Sequence, residues 1–193
     1  MAKLVLSFSM SLDGFIAGPD VSAQLPMGRH GERLHDWMFK APSDLDRRMA
    51  REMSENVGAV LLGRRTFDLG LSHWGGTPYK TPTFVLTHEP LDPLSTKTGT
   101  FIFVQAGIES ALQQARAAGG GKDIVVMGAN LAQQYLKAGL ADEIVIQLVP
   151  VLLGSGTRLF DHIGDRRIEL ATTTALPSPS VTHLRFEVVK PGA

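Results

Sequence analysis

The stretch richest in chemistry is Val60-Leu61-Leu62-Gly63-Arg64-Arg65-Thr66-Phe67, where an apolar, strand-like run stops at a glycine and passes into two arginines and a threonine. A helix that starts there leaves its first backbone N–H groups without intrahelical partners, directed at whatever lies above the strand end. Such a terminus attracts anions, and two guanidinium groups beside it add charge-assisted, often bidentate hydrogen bonds. The octapeptide admits two readings: a cradle for the phosphates of a nucleotide, or an ordinary strand–helix turn with two solvated arginines. A second candidate is Asp13-Gly14, at the C-terminal end of the first strand-like run, the edge where ligands of α/β sheets collect. A carboxylate under a ligand there gains a raised pKa suited to proton transfer, whereas the same dipeptide also serves as a plain turn.

Other signatures fail on spacing. Gly119-Gly120-Gly121-Lys122 is no P-loop, because Arg116 stands where the first glycine belongs and Asp123 where Ser or Thr belongs; it reads as a helix stop. No G-x-G-x-x-G or G-x-S-x-G occurs, which argues against a two-domain dehydrogenase and an esterase elbow. The six histidines, at 30, 35, 73, 88, 162 and 183, lack metal-ligand spacing and read as surface or hydrogen-bonded residues. Trp37 and Trp74 read as packing residues.

These groups must be positioned by elements that the pattern suggests. Leu4 to Met10 reads as a first strand, followed by a long Gly/Pro-punctuated loop to about His30 and a short helical pattern from Glu32 to Phe39. Ser43 reads as a helix N-cap with Asp46 three residues on, and Leu45, Met49 and Met53 share a face assigned to the core. Strands follow at 59–62, 82–87, 101–104, 124–127 and 143–149, with helical segments at 65–69, 108–115 and 131–140; 168–175 and 181–189 read as two closing strands. Strands alternating with helices and then running consecutively imply an α/β fold with a mixed, mostly parallel sheet and an antiparallel end.

Length and composition fit this. The chain has 193 residues, 44% of them hydrophobic, and its 19 basic residues balance 19 acidic ones, so a single domain spanning 1–193 is expected. Zero net charge gives no electrostatic case for nucleic acid or an anionic membrane. With no cysteine, disulfides, thiolate metal sites and a cysteine nucleophile are excluded. The serine-interrupted N-terminus makes a poor signal peptide and no run suits a membrane helix, so a cytoplasmic location is expected.

Six segments occur in order: Ser9-Met10-Ser11-Leu12-Asp13-Gly14-Phe15-Ile16-Ala17-Gly18, Leu62-Gly63-Arg64-Arg65-Thr66-Phe67, Phe84-Val85-Leu86-Thr87-His88, Gly128-Ala129-Asn130-Leu131, Gly139-Leu140-Ala141-Asp142-Glu143 and Pro150-Val151-Leu152-Leu153-Gly154-Ser155-Gly156. Together they resemble the dihydrofolate-reductase-like family, and within it the reductase domain that ends the bifunctional riboflavin-biosynthesis deaminase-reductase, in its stand-alone form. The resemblance covers about residues 3 to 189. It implies a three-layer α/β/α domain that binds NADPH and is commonly a homodimer. By the same resemblance, Ile16 and Ala17 offer backbone contacts to the nicotinamide end. Gly63, Arg64, Arg65 and Thr66 hold the pyrophosphate and 2′-phosphate side, Leu86, Thr87 and His88 flank the adenine ribose, and Gly128, Ala129, Asn130 and Leu131 form a second helix terminus facing the pyrophosphate.

Two departures stand out. The family's paired glycines, joined by a cis peptide, become Met127-Gly128 here. The acidic residue that true dihydrofolate reductases carry before the Gly-Arg strand has no ungapped counterpart, although Asp44 and Asp46 lie nearby. The expected function is an NADPH-dependent reduction of a C=N or C=O group in a small heterocyclic or sugar-linked molecule, with Asp13 orienting substrate or relaying a proton. The rivals are dihydrofolate reduction itself and a non-catalytic NADPH-binding protein. Residues 13–39, with Leu34, Trp37 and Met38 available to cover an apolar ring, are expected to wall the substrate pocket.

Overall fold

Alternating burial along β1 (Leu4–Ser11) sends Leu4 and Leu6 to one side of a sheet and Val5 to the other. The computed structural model describes residues 2–190. In it, β1 pairs in parallel with both β7 (Asp123–Met127) and β8 (Glu143–Val149). From β7 the parallel ladder continues through β3 (Val57–Gly63) and β4 (Thr83–Leu86) to β6 (Thr100–Val104). The short β5 (Leu94–Ser95) closes that edge antiparallel, while β11 (Thr182–Val188) and β10 (Leu170–Pro177) extend the β8 edge antiparallel. The nine strands form a mixed, mostly parallel sheet.

Helices cover both faces, as a parallel sheet requires to bury its apolar strands. On one side α4 (Gly107–Ala118) and α5 (Ala129–Ala138) pack Ala111, Leu112, Ala115, Leu131 and Leu136 against Leu4, Leu6, Leu61 and Ile124. On the other, Phe67 of α3 (Arg64–Trp74) packs against Val60, Leu62, Val85 and Phe101. α2 (Asp44–Glu55) lies on that same face beside β1, where the Ser7 hydroxyl donates to the Met53 sulfur at 3.1 Å. α2 starts at the capping box read from the sequence: Ser43 Oγ accepts from the Asp46 N–H and the Asp46 carboxylate accepts from the Ser43 N–H.

Several expectations need correction. The loop after β1 is not structureless: β2 (Phe15–Ala17) pairs antiparallel with β9 (Thr157–Arg158), a partner too distant in sequence for any local pattern to announce. The helical pattern of 32–39 splits into a 3-10 turn over Gly31–His35 and the one-turn α1 (Asp36–Phe39). α3 runs well past Leu69, because its stop is Gly75 in the left-handed region (φ 65°). The peptide between Met127 and Gly128, which the sequence leaves open, is trans. Leu45, Met49 and Met53 are only half-buried, and Asp46 is the buried residue of α2. Of the three, Met53 lines an open cavity, together with Ala50 and Ser54 of the same helix.

Candidate active site

The C-terminal ends of β1, β3, β4, β6 and β7 open onto one cavity of about 1360 Å³. Two helices begin at its rim directly after their strands. α3 follows β3 with Gly63 as N-cap, α5 follows β7 with Gly128 as N-cap, and neither has a side-chain cap. Their first N–H groups are therefore available to an anion in the cleft. The two termini touch: a Cβ at position 128 would lie 2.5 Å from Thr66 Oγ1, and Gly128 has φ 92°. Only glycine permits both that backbone and that approach. β6 delivers a third junction, with Val104, Gln105, Gly107 and Ile108 lining the cavity at the start of α4.

All thirteen residues assigned by resemblance to the cofactor (Ile16, Ala17, Gly63, Arg64, Arg65, Thr66, Leu86, Thr87, His88, Gly128, Ala129, Asn130 and Leu131) line this one cavity. The arginines differ in a way the sequence hides. Arg64 binds Asp68 at 2.8 Å and Glu89 at 2.7 Å, and these carboxylates raise its pKa further, the Asp68 hydrogen bond most. Arg65 has no carboxylate partner among the described residues, so its charge is the one open to a ligand.

Asp13 requires correction. It does not line the cavity. Its carboxylate accepts from Ser11 Oγ at 2.6 Å, the Leu153 N–H at 3.1 Å and the Gly154 N–H at 2.7 Å. The Ser11 hydrogen bond, helped by the Gly154 and Leu153 amides, holds its pKa down at about 2, opposite to the rise that proton transfer would need. Arg158 adds a hydrogen bond to the Asp13 carbonyl at 2.8 Å. Asp13 is a latch between two loops. Asp13→Asn is accordingly expected to lower the melting temperature, since an amide N–H would face a backbone N–H, while kcat for any reductive turnover stays unchanged. A large kcat loss at unchanged melting temperature would return Asp13 to the chemistry.

The segment after Asp13 does supply one wall, through Ile16, Ala17, Val21, Pro26, Met27, His35, Trp37, Met38 and Phe39. Burial lowers the pKa of His35, favouring its neutral form. Opposite lie Ser7 and Ser9 of β1, Ala50, Met53 and Ser54 of α2, and Gln147 of β8. Glu89 is the sole carboxylate among the lining residues. Neither Asp44 nor Asp46 reaches the cavity: Asp44 pairs with Arg47, and Asp46 hydrogen-bonds the buried His183 at 2.8 Å. Sequence reasoning missed Gln105, Gly107 and Gln147. A signal existed for Gln147, a lone amide in the apolar run of β8; none existed for the β6–α4 junction.

A mixed, mostly parallel sheet with helix termini converging on a cleft at its strand ends defines an open α/β domain built around a ligand-sized cavity. Within that class, the chain belongs to the RibD C-terminal domain family, whose model matches residues 2–183. It is 29% identical over 162 residues to the uncharacterized protein YwjB of Bacillus subtilis, covering 83% of this chain and 84% of that protein. Among solved structures it resembles a protein of Shewanella sp. PV-4 provisionally assigned to riboflavin biosynthesis (TM-score 0.75, 25% identity, 98% of this chain and 100% of that one). It also resembles dihydrofolate reductase from Enterococcus faecalis (TM-score 0.59, 16% identity, 97% of each chain), which shows the shared fold. The protein is thus a RibD C-terminal family domain with a dihydrofolate-reductase-like fold. Among the described residues no helix is long and apolar enough to cross a membrane.

Proposed function

We propose that the protein is an NADPH-dependent reductase that delivers a hydride to a C=N or C=O group of a small heterocyclic or sugar-linked molecule. The observation that carries this reading is the meeting of two uncapped helix N-termini at Gly128 and Thr66, beside the unpaired Arg65, in one large cavity. These residues suit a doubly charged pyrophosphate and a further phosphate. Gly63, Thr66 and Gly128 to Leu131 would hold the pyrophosphate, Arg65 with Thr87 and His88 the 2′-phosphate, and Ile16 and Ala17 the nicotinamide. When bound, NADPH supplies the hydride; the chain orients it and walls the acceptor from water.

Dihydrofolate as substrate loses support here, since no carboxylate reaches the cavity from α2 and Glu89 is held by Arg64. Hydrogen exchange with and without NADPH tests the assignment. Protection is expected to rise at 14–18, 63–67 and 128–132; no change at the last two would remove the cofactor from the cleft. NADPH oxidation across carbonyls, imines and pteridines then separates a reductase from a silent NADPH binder.

We further propose a homodimer. β10 presents an exposed edge carrying Leu170 and Leu176, and unpaired edges are normally covered. Light scattering at micromolar concentration should give twice the chain mass; a monomer mass contradicts the proposal.

A further inference from the structure

The cavity rim at the start of α3 is less positive than its residues suggest. Arg64 and Arg65 are the only Lys or Arg side chains among the lining residues. Against them stand two carboxylates: Asp68, on the next turn of α3, and Glu89, just past the end of β4. Asp68 accepts from Arg64 Nε through both oxygens, at 2.8 and 3.0 Å, and Glu89 accepts from Arg64 Nη1 at 2.7 Å. Two guanidinium charges on this rim are therefore matched by two carboxylate charges.

The two carboxylates differ in kind. Asp68 makes an ordinary i, i+4 helix pair and does not line the cavity. Glu89 arrives from the neighbouring parallel strand and does line it. A turn fixes its backbone: the Glu89 N–H donates to Thr87 Oγ1 at 3.1 Å, and the Thr87 N–H donates to the Val104 carbonyl at 3.1 Å. In dinucleotide-binding α/β sheets an acid near this edge accepts from a ribose hydroxyl, whereas an arginine there favours a phosphate in its place. Here both are present, and they are bonded to each other. The Glu89 carboxylate occupies an Arg64 donor that a phosphate could use, and it repels a phosphate by its own charge.

We infer that Glu89 sets the margin by which this site favours a 2′-phosphorylated nucleotide over its unphosphorylated counterpart, by keeping Arg64 out of phosphate binding and leaving that task to Arg65. The inference rests on the cofactor reading above and adds the residue that limits its selectivity.

Isothermal titration of the full chain with adenosine 2′,5′-bisphosphate and adenosine 5′-phosphate tests it without any turnover. Glu89→Gln keeps the length of the side chain and removes its charge; with that side chain 70% exposed, the substitution spares the core. The bisphosphate is expected to bind Glu89→Gln about fivefold tighter than the unaltered protein, the upper end for an exposed ion pair, while the monophosphate changes less than about twofold. Adding Arg64→Ala to Glu89→Gln should abolish the gain, whereas Arg64→Ala alone should leave the ratio of the two affinities near its starting value. An unchanged ratio in Glu89→Gln, equal tightening of both nucleotides, or a gain that survives Arg64→Ala overturns the inference and leaves the cofactor reading standing. Failure of both the unaltered protein and Glu89→Gln to bind either nucleotide overturns the cofactor reading and this inference with it.

Discussion

Arg65→Ala is expected to weaken NADPH binding about 10- to 100-fold while leaving NADH binding almost unchanged. The size follows from losing hydrogen bonds between charged partners, worth ~1.5–3 kcal/mol in total where a single guanidinium meets a phosphate. The selectivity follows from which charge is available. Arg64, one residue earlier, is held by Asp68 and Glu89, so Arg64→Ala should cost much less and should affect both cofactors alike. Titration of each variant with both nucleotides measures the four affinities. Equal losses of NADPH and NADH in Arg65→Ala would show that this side chain does not read the 2′-phosphate.

Asp46→Ala is expected to lower the melting temperature by about 10 °C without touching the cavity. Asp46 is 1% exposed and serves two structures at once, closing the α2 capping box with Ser43 and hydrogen-bonding His183. Losing the cap costs about 1 kcal/mol, and stranding the buried imidazole costs a further ~2 kcal/mol. For a chain of this size each kcal/mol shifts the melting temperature by roughly 2–4 °C. The effect depends on pH in a definite direction. Burial pushes the Asp46 carboxyl up, but the hydrogen bonds from His183, Ser43 and Ser178 outweigh it and hold the pKa at about 2, below the ordinary 3.8. The stabilisation is therefore complete above pH 3.8 and fades as pH falls toward 2. Melting curves of both proteins between neutral pH and pH 2 should converge at the acid end. A constant gap across that range would mean that ionised Asp46 contributes nothing beyond packing.

The strand–helix alternation and the Gly63–Thr66 and Gly128–Leu131 junctions were legible in the sequence, because apolar runs ending in glycine encode a strand edge and a helix start locally. What could not be read was set by long-range partners. Arg64 and Arg65 look equivalent until Glu89, 25 residues on, claims the first. Asp13 looks poised for chemistry until Leu153 and Gly154 arrive from the far end of the chain. The Met49/Met53 stripe has the period of a core face, yet both residues stay half-buried and Met53 lines the cavity, while α2 buries Asp46 against His183. Local pattern fixes where a side chain points relative to its element, and only the tertiary fold decides what it meets.

The bond between Asp13 and the 153–154 amides has a kinetic consequence. β2 is also paired with β9, Arg158 reaches back to the Asp13 carbonyl, and a Cβ at Gly156 would lie 2.1 Å from the Ala17 oxygen. Residues 13–18 and 153–158 are thus stapled into one small flap whose inner side carries Ile16, Ala17 and Thr157 on the cavity wall. Neither strand can lift without the other. A molecule lodged against Ala17 is therefore expected to leave more slowly while the staple holds, so substitutions at 153–158, of which only Thr157 lines the cleft, should change residence time, read as a dissociation rate, more than affinity.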